Sequence, residues 1–228
     1  LSEIDYWTSK EALEMAALPK SLAIIGGGVI GMEFASFFTS LGVQVTVVEM
    51  LDEILGGMDK ELSAMLRAEY AKKGIKFLLS TKVVGVSKEE TGITVSYENA
   101  DGTGTVTADK LLMSVGRRPV TKGFGLENLN LEWTERRCIK VDEHLQSSVP
   151  GVYVCGDLNG VSLLAHTAVR EAEVAVHHIT GKEDAMSYRA IPGVVYTNPE
   201  IAGVGMSEEA LQAAGIPYRA VKLPMAYS

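Results

Sequence analysis

Along the first half of the chain, unbroken apolar runs alternate with stretches that carry a helical beat. "SLAII", residues 21–25, is apolar after its serine, as a strand covered on both faces would be. Val29, Ile30, Phe34, Phe37, Phe38 and Leu41 then recur at helical spacing, and Gly42 follows as a stop. "VQVTVVE", residues 43–49, predicts a second buried strand. Strand, helix and strand within about 30 residues make a βαβ unit, so the two strands are expected to lie parallel and adjacent.

The same reading extends along the chain. Thr8 and Glu11 have capping-box spacing, predicting a short helix over 8–17 that Pro19 stops. Asp59 caps "KELSAMLRAEYAKK", Gly74 ends it, and "IKFLL" is a third strand. From 81 to 116, β-branched alternation broken at Thr91-Gly92 and Asp101-Gly102 predicts an antiparallel meander, with "KLLMSVG" as a further buried strand. After a polar stretch of about 117–148, "VPGVYVCGD" reads as an apolar strand ending in Gly-Asp. "LLAHTAVREAEVAVHHI" predicts a helix with a continuous Ala/Val face, and a composition shift near 186–192 opens a new strand–helix unit.

Composition removes several classes of function. With 46% hydrophobic and 22% charged residues the chain is ordinary for a globular protein. Its net charge of −8, with arginine pairs only at Arg117–Arg118 and Arg136–Arg137, argues against nucleic acid. No apolar stretch reaches about 18 residues, so no membrane span is expected. The opening "LSEIDYWTSKEAL" has neither the basic start nor the apolar core of a signal peptide, and it lacks an initiator Met. A cytoplasmic piece or processed form is the expectation. Cys138 and Cys155 make neither a metal hook nor a local redox dithiol, and read as reduced thiols. His177 and His178 are neighbours, which on a helix diverge by about 100° and cannot share one ion. No metal site is expected.

The chemistry concentrates in Gly26-x-Gly28-x-x-Gly31, placed where a strand turns into a helix. The first glycine permits the tight turn, the second lets a pyrophosphate approach the backbone, and the third lets helix and strand pack closely. The helix N-terminus presents free N–H groups and a positive dipole end to phosphates. Glu49 ends the second strand, 18 residues after Gly31, where a carboxylate can accept both adenosine ribose hydroxyls and would repel a 2′-phosphate. The residues after it, "EMLDEIL", offer only acids as polar groups, which points to NAD rather than NADP. Glu33 is read on the first helical turn, where an acid suits the dipole whether or not it binds anything. Asp157, after Gly156, is either a turn or cap residue or an acceptor for a sugar-like hydroxyl.

Together "ALPKSLAIIGGGVIGMEFA", "LLMSVGRRP", "SSVPGVYVCGDLNGVSLLAHTAVREAE" and "YTNPEIAGVG" resemble the flavin-dependent pyridine nucleotide–disulfide oxidoreductases, and within them the branch that oxidises dihydrolipoamide. The resemblance implies an α/β fold: a Rossmann-like βαβ dinucleotide-binding domain, with parallel sheet, helices and an antiparallel meander, followed by the start of an α+β interface domain. It implies a linker and helix over 1–19, the NAD domain over 20–118, a loop and returning FAD-domain segment over 119–188, and a truncated dimerisation domain over 189–228. Gly26, Gly27, Gly28, Val29, Ile30 and Gly31 would hold the NAD pyrophosphate, and Glu49 the ribose. Val83 would line the adenine and Gly116 the nicotinamide half, while Glu33 would meet the nicotinamide amide. NADP-using relatives often carry tyrosine at the place of Val29 and alanine at that of Gly31. Asp157 would bind the FAD ribityl chain, and Leu163, Leu164, Ala165 and His166 would line the flavin through their backbone. Val120 departs from the family's usual asparagine.

The family's FAD-binding first half, its CxxxxC redox disulfide, the flavin-side lysine and the acid–base His–Glu pair are not in these 228 residues. The resemblance therefore implies a fragment with no catalytic residue of its own, inactive alone. Its parent would be a homodimer that oxidises dihydrolipoamide or a lipoyl domain and passes hydride through FAD to NAD. Two other readings stand beside it: another NAD-dependent flavin enzyme, such as a coenzyme A–disulfide reductase or soluble transhydrogenase, and a non-catalytic dinucleotide-binding module.

Overall fold

The computed structural model describes residues 6–90 and 92–224, so Thr91 of the expected first meander turn lies outside the described residues, as does the opening 1–5. The chain divides into two compact units, residues 1–116 with 192–228, and residues 117–191.

The first unit is built on a four-stranded parallel sheet in the order β3-β2-β1-β7, with β1 (Ser21–Ile25), β2 (Gln44–Val48), β3 (Lys76–Leu78) and β7 (Lys110–Met113). β1 and β2 are joined by α2 (Val29–Ser40), and β2 and β3 by α3 (Lys60–Lys72), whose N-cap Asp59 accepts the Glu61 N–H at 3.0 Å. Strand alternation explains why β1 reads as an unbroken apolar run. Leu22 and Ile24 enter a core shared with Met32, Phe38 and Leu66, whereas Ala23 and Ile25 enter a second core with Ile93, Val95 and Leu111. That second core lies against the antiparallel sheet of β4 (Lys82–Glu89), β5 (Gly92–Asn99) and β6 (Gly102–Ala108), which is the expected meander.

Two parts of this unit were not legible in the pattern. Trp7 joins the sheet edge beside β7, donating to Leu111 O and accepting from Met113 N, both at 2.8 Å, and stacks on Phe38. Helix α1 (Ser9–Leu13) follows with the expected capping box but stops short of Pro19. From the far end of the sequence, β8 (Gly193–Val195) and β9 (Ile201–Gly203) form a hairpin that returns to this unit, followed by α5 (Glu208–Ala213). Val195 and Ile201 enter the first core. Tyr70 of α3 accepts the Asn198 N–H at 2.9 Å, and Lys73 donates to Asn198 O at 2.6 Å.

The second unit contains one long helix, α4 (Ala165–Ile179), and a loop framework with short antiparallel bridges. "VYVC" was expected to be a strand and is not one. Tyr153 bridges only Gln146, and the chain then enters a 3-10 turn at Gly156–Leu158. An apolar run becomes a strand only where a neighbour offers a continuous ladder, and here the hydrogen bonds stop at Ser147–Val152 and Leu145–Val154. The expected Ala/Val face of α4 is also not its buried face. Val169 and Val176 are 63% and 55% exposed, whereas Thr167, Glu171, Val174 and Ala175 are buried. Hydrogen bonding at Glu171 offsets the burial of its carboxylate and selects that stripe over the more apolar one. No described helix is long and apolar enough to cross a membrane.

Candidate functional site

In the first unit the three glycines of the motif meet three different constraints. Gly26 has φ +102°, and a Cβ there would lie 2.6 Å from Ser114 O. A Cβ on Gly31 would lie 2.0 Å from Gly26 O, so the helix can approach the turn this closely only without a side chain. Gly28 has ordinary φ and nothing within 4 Å of its would-be Cβ. It is bare toward open space, which suits the approach of another molecule rather than the packing of this one. Gly28 is also the N-cap of α2 and gives no side-chain cap, and the first turn of that helix carries no acid. Its leading N–H groups therefore present a positive end with no acid of the helix's own first turn against it.

Glu49 closes the motif. It is half-buried, accepting the Gly27 N–H at 2.6 Å through Oε2 and the Leu51 N–H at 2.8 Å through Oε1. A carboxylate has about four acceptor directions, so two remain for hydroxyl donors. The cations nearest in sequence are already paired. Arg67 forks onto buried Glu53 at 2.8 and 2.9 Å, and Lys60 pairs with Asp52 at 2.6 Å. Ser114, which no motif marks, places its hydroxyl 3.0 Å from Ile25 O and 2.8 Å from Gly26 O, fastening the turn to the end of β7.

The other expected residues of this unit fall in different settings. Glu33 is not on the first turn: α2 begins at Val29, so Glu33 is its fifth residue and gains little from the helix end. Its Oε1 instead accepts the Tyr196 N–H at 3.0 Å. Val29 is exposed and Ile30 half-buried at the helix start. Val83 is half-buried against the second core, beside a register shift in the β4–β5 ladder. Gly116 is exposed with φ +113°. An apolar groove beside Glu33 is lined by Ala12, Leu13, Met15, Phe34 and Phe37.

In the second unit, Asp157 sits in the 3-10 turn that Cys155 caps only through its backbone. Its exposed carboxylate lines a cavity of about 390 Å³ with Arg117, Arg118, Pro119, Val120, Cys155 and Leu158. Two guanidinia and a carboxylate at one opening suit a ligand with both anionic and hydroxyl groups. Leu163, Leu164, Ala165 and His166 are exposed at the start of α4, where Leu164 is an N-cap with no side-chain bond. Gly156, at φ +74°, gives its N–H to Glu171 at 2.5 Å. Glu171 was missed in the sequence because a glutamate within a helix ordinarily faces water.

The thiols are free. Burial, and then the Glu171 charge, pushes the Cys155 thiol up, away from the thiolate. Cys138 is buried under Gly160, and a Cβ on that glycine would lie within 2.3 Å of its Sγ.

With this geometry in hand, the family model described as pyridine nucleotide-disulphide oxidoreductase matches residues 1–172, and that of the same family's dimerisation domain matches 191–228. A dihydrolipoyl dehydrogenase of Thermus scotoductus is 40% identical over 227 residues, covering 98% of this chain and 49% of its own. The mitochondrial dihydrolipoyl dehydrogenase of Caenorhabditis elegans is 42% identical over 220 residues, covering 95% and 44%. Among solved structures, LpdA from Mycobacterium tuberculosis superposes with TM-score 0.87 at 30% identity, covering 96% of this chain and 48% of that one. The HOCl-induced flavoprotein disulfide reductase RclA from Escherichia coli gives 0.85 at 28%, covering 97% and 50%. The chain thus spans about half the length of the curated relatives it matches.

Proposed function

The chain belongs to the pyridine nucleotide-disulphide oxidoreductase family, and from that premise we propose that it is the NAD-binding portion of a dihydrolipoamide dehydrogenase. The observation that carries the NAD assignment is Glu49, held against the bare glycine turn by the Gly27 and Leu51 N–H groups. It keeps acceptor capacity for ribose hydroxyls, and its charge opposes a 2′-phosphate, while the cations nearest in sequence, Lys60 and Arg67, are already paired. The pyrophosphate would lie over Gly28 and the open start of α2. Glu33 keeps its second oxygen for the nicotinamide amide while the first holds Tyr196.

The Asp157 cavity, with Arg117 and Arg118, supports the parallel assignment of a flavin-side segment. When bound, FAD supplies the two-electron relay between a substrate dithiol and NAD. The residues of this chain bind and orient. Neither of its thiols suits disulfide exchange, Cys155 because its thiolate is disfavoured and Cys138 because it is buried. Turnover, a lipoyl-bearing substrate and the homodimer belong to the longer parent in this reading, and the 228 residues alone are inactive and colourless. Calorimetric titration with NAD⁺ and NADP⁺ tests it: NAD⁺ is expected to bind tighter, and Glu49→Ala to narrow the gap. Equal or tighter NADP⁺ binding would overturn the assignment.

A further inference from the structure

Glu171 is a fully buried carboxylate, 0% exposed, with no lysine or arginine paired to it among the described residues. It is held by three donors instead. The Gly156 N–H reaches Oε2 at 2.5 Å, while the Asn159 amide at 3.0 Å and the Tyr188 hydroxyl at 2.7 Å reach Oε1. Burying a carboxylate carries a heavy desolvation cost before its hydrogen bonds offset the loss, and an apolar residue would seal the same helix face without it. What the charge secures is local. Gly156 and Asn159 are the two ends of the turn whose second residue is Asp157. Asn159 extends the order outward, its Oδ1 accepting the Val161 N–H at 2.9 Å. Tyr188 serves as a fixed donor, because burial and then its bond to Glu171 push its phenol well above the usual range.

We propose that Glu171 is a positioning residue, which fixes the 156–159 turn from beneath so that the Asp157 carboxylate stays in the cavity with Arg117 and Arg118. Nothing in the sequence motif marks it, and it touches no part of that cavity's lining except through the turn and Cys155. The inference rests on the reading of Asp157 as a flavin-side residue. Its consequence is that Asp157 and Glu171 contribute to flavin binding as one device rather than two.

The test is a double-mutant cycle on the complete reading frame loaded with FAD, read as flavin dissociation constants together with unfolding midpoints. For a carboxylate on a ribityl hydroxyl, Asp157→Asn is expected to weaken flavin binding about 30-fold. Glu171→Gln should weaken it about tenfold, and the double variant no more than about 30-fold, because nothing is left to position. Tyr188→Phe, which leaves the carboxylate two donors, should cost about threefold. If Glu171→Gln does not fold, Tyr188→Phe paired with Asp157→Asn carries the same comparison. Additive effects, near 300-fold in the double variant, would overturn the proposal. So would a lowered midpoint with the flavin constant of the folded protein unchanged. A wild-type protein that takes up no FAD would instead sink the reading of the parent as a flavoenzyme.

Discussion

The turn at Gly26–Gly31 and the turn at Gly156–Asn159 solve the same problem with opposite allocations. Each lies ahead of a helix in the chain, and each pairs a positive-φ glycine with a carboxylate that captures a backbone N–H. In the first turn the capturing carboxylate, Glu49, is half-buried and keeps acceptor directions open, so one group both braces the turn and faces outward. In the second the roles are split between Glu171, buried and filled by three donors, and Asp157, exposed with no side-chain partner among the described residues. A braced turn tolerates change only on the side that is not bracing. That contrast ranks the effects of substitution.

The largest effect is expected at Gly31, where a Cβ would lie 2.0 Å from backbone that cannot swing aside. Gly31→Ala should destabilise the first unit by about 3 kcal/mol or more, measured by urea unfolding. A cost under about 1 kcal/mol would mean that this turn is not braced by close approach. Next comes Gly156→Ala. Its φ of +74° and a 3.3 Å approach to the Ala168 Cβ predict a loss of about 1–3 kcal/mol, with the Gly156 amide also losing its hydrogen-exchange protection. Gly28→Ala is the converse case. With nothing within 4 Å it should change stability by no more than about 0.5 kcal/mol, yet weaken NAD⁺ binding in the titration, since only the approaching ligand meets the new methyl.

The smallest effect concerns residues 180–191, the strap after α4 that carries Asp184 and Tyr188. Asp184 pairs with Arg170 at 2.6 Å and His177 at 2.7 Å, and these bonds, Arg170 first, lower its carboxyl from 3.8 to about 2. A lowered folded-state value stabilises above the unfolded one, so the contribution is complete above about pH 4 and is lost as pH falls toward 2. Because its partners Arg170 and His177 are each more than a third exposed, solvent screens the pairing and the slope will be shallow. Comparing Asp184→Asn with wild type across that window should remove it; an unchanged slope would detach the strap from the pairing.

Legibility followed the kind of constraint. β1 and β2 were readable because two-sided burial writes an unbroken apolar run. The beat of α2 placed the helix but not its inner face, since Val29, Phe37 and Leu41 are exposed and Gly31, Met32, Ala35 and Phe38 are buried. The glycine motif was readable because two steric demands, at Gly26 and Gly31, and one bare position open to an approaching molecule, Gly28, fall at fixed spacing. "VYVC" misled because an apolar run does not say whether a neighbour will supply the ladder. Glu171 and the exposed Val169 misled together, since hydrogen-bond donors arriving from Gly156, Asn159 and Tyr188 reversed which face of α4 goes inward. Trp7 was invisible for a simpler reason: one residue at a sheet edge has no period.

The return of the β8–β9 hairpin has a consequence for the order in which the chain is made. Val195 and Ile201 fill places in the first core, and Asn198 meets the Tyr70 hydroxyl and the Lys73 amine, yet residues 117–191 are synthesised in between. As the polypeptide leaves the ribosome, the sheet of the first unit can pair long before its core is sealed. Through that interval the places that Val195 and Ile201 fill in the first core wait uncovered while the second unit emerges. The nascent chain is thus most vulnerable to misassociation while it is making a part of the molecule that does not belong to that core at all.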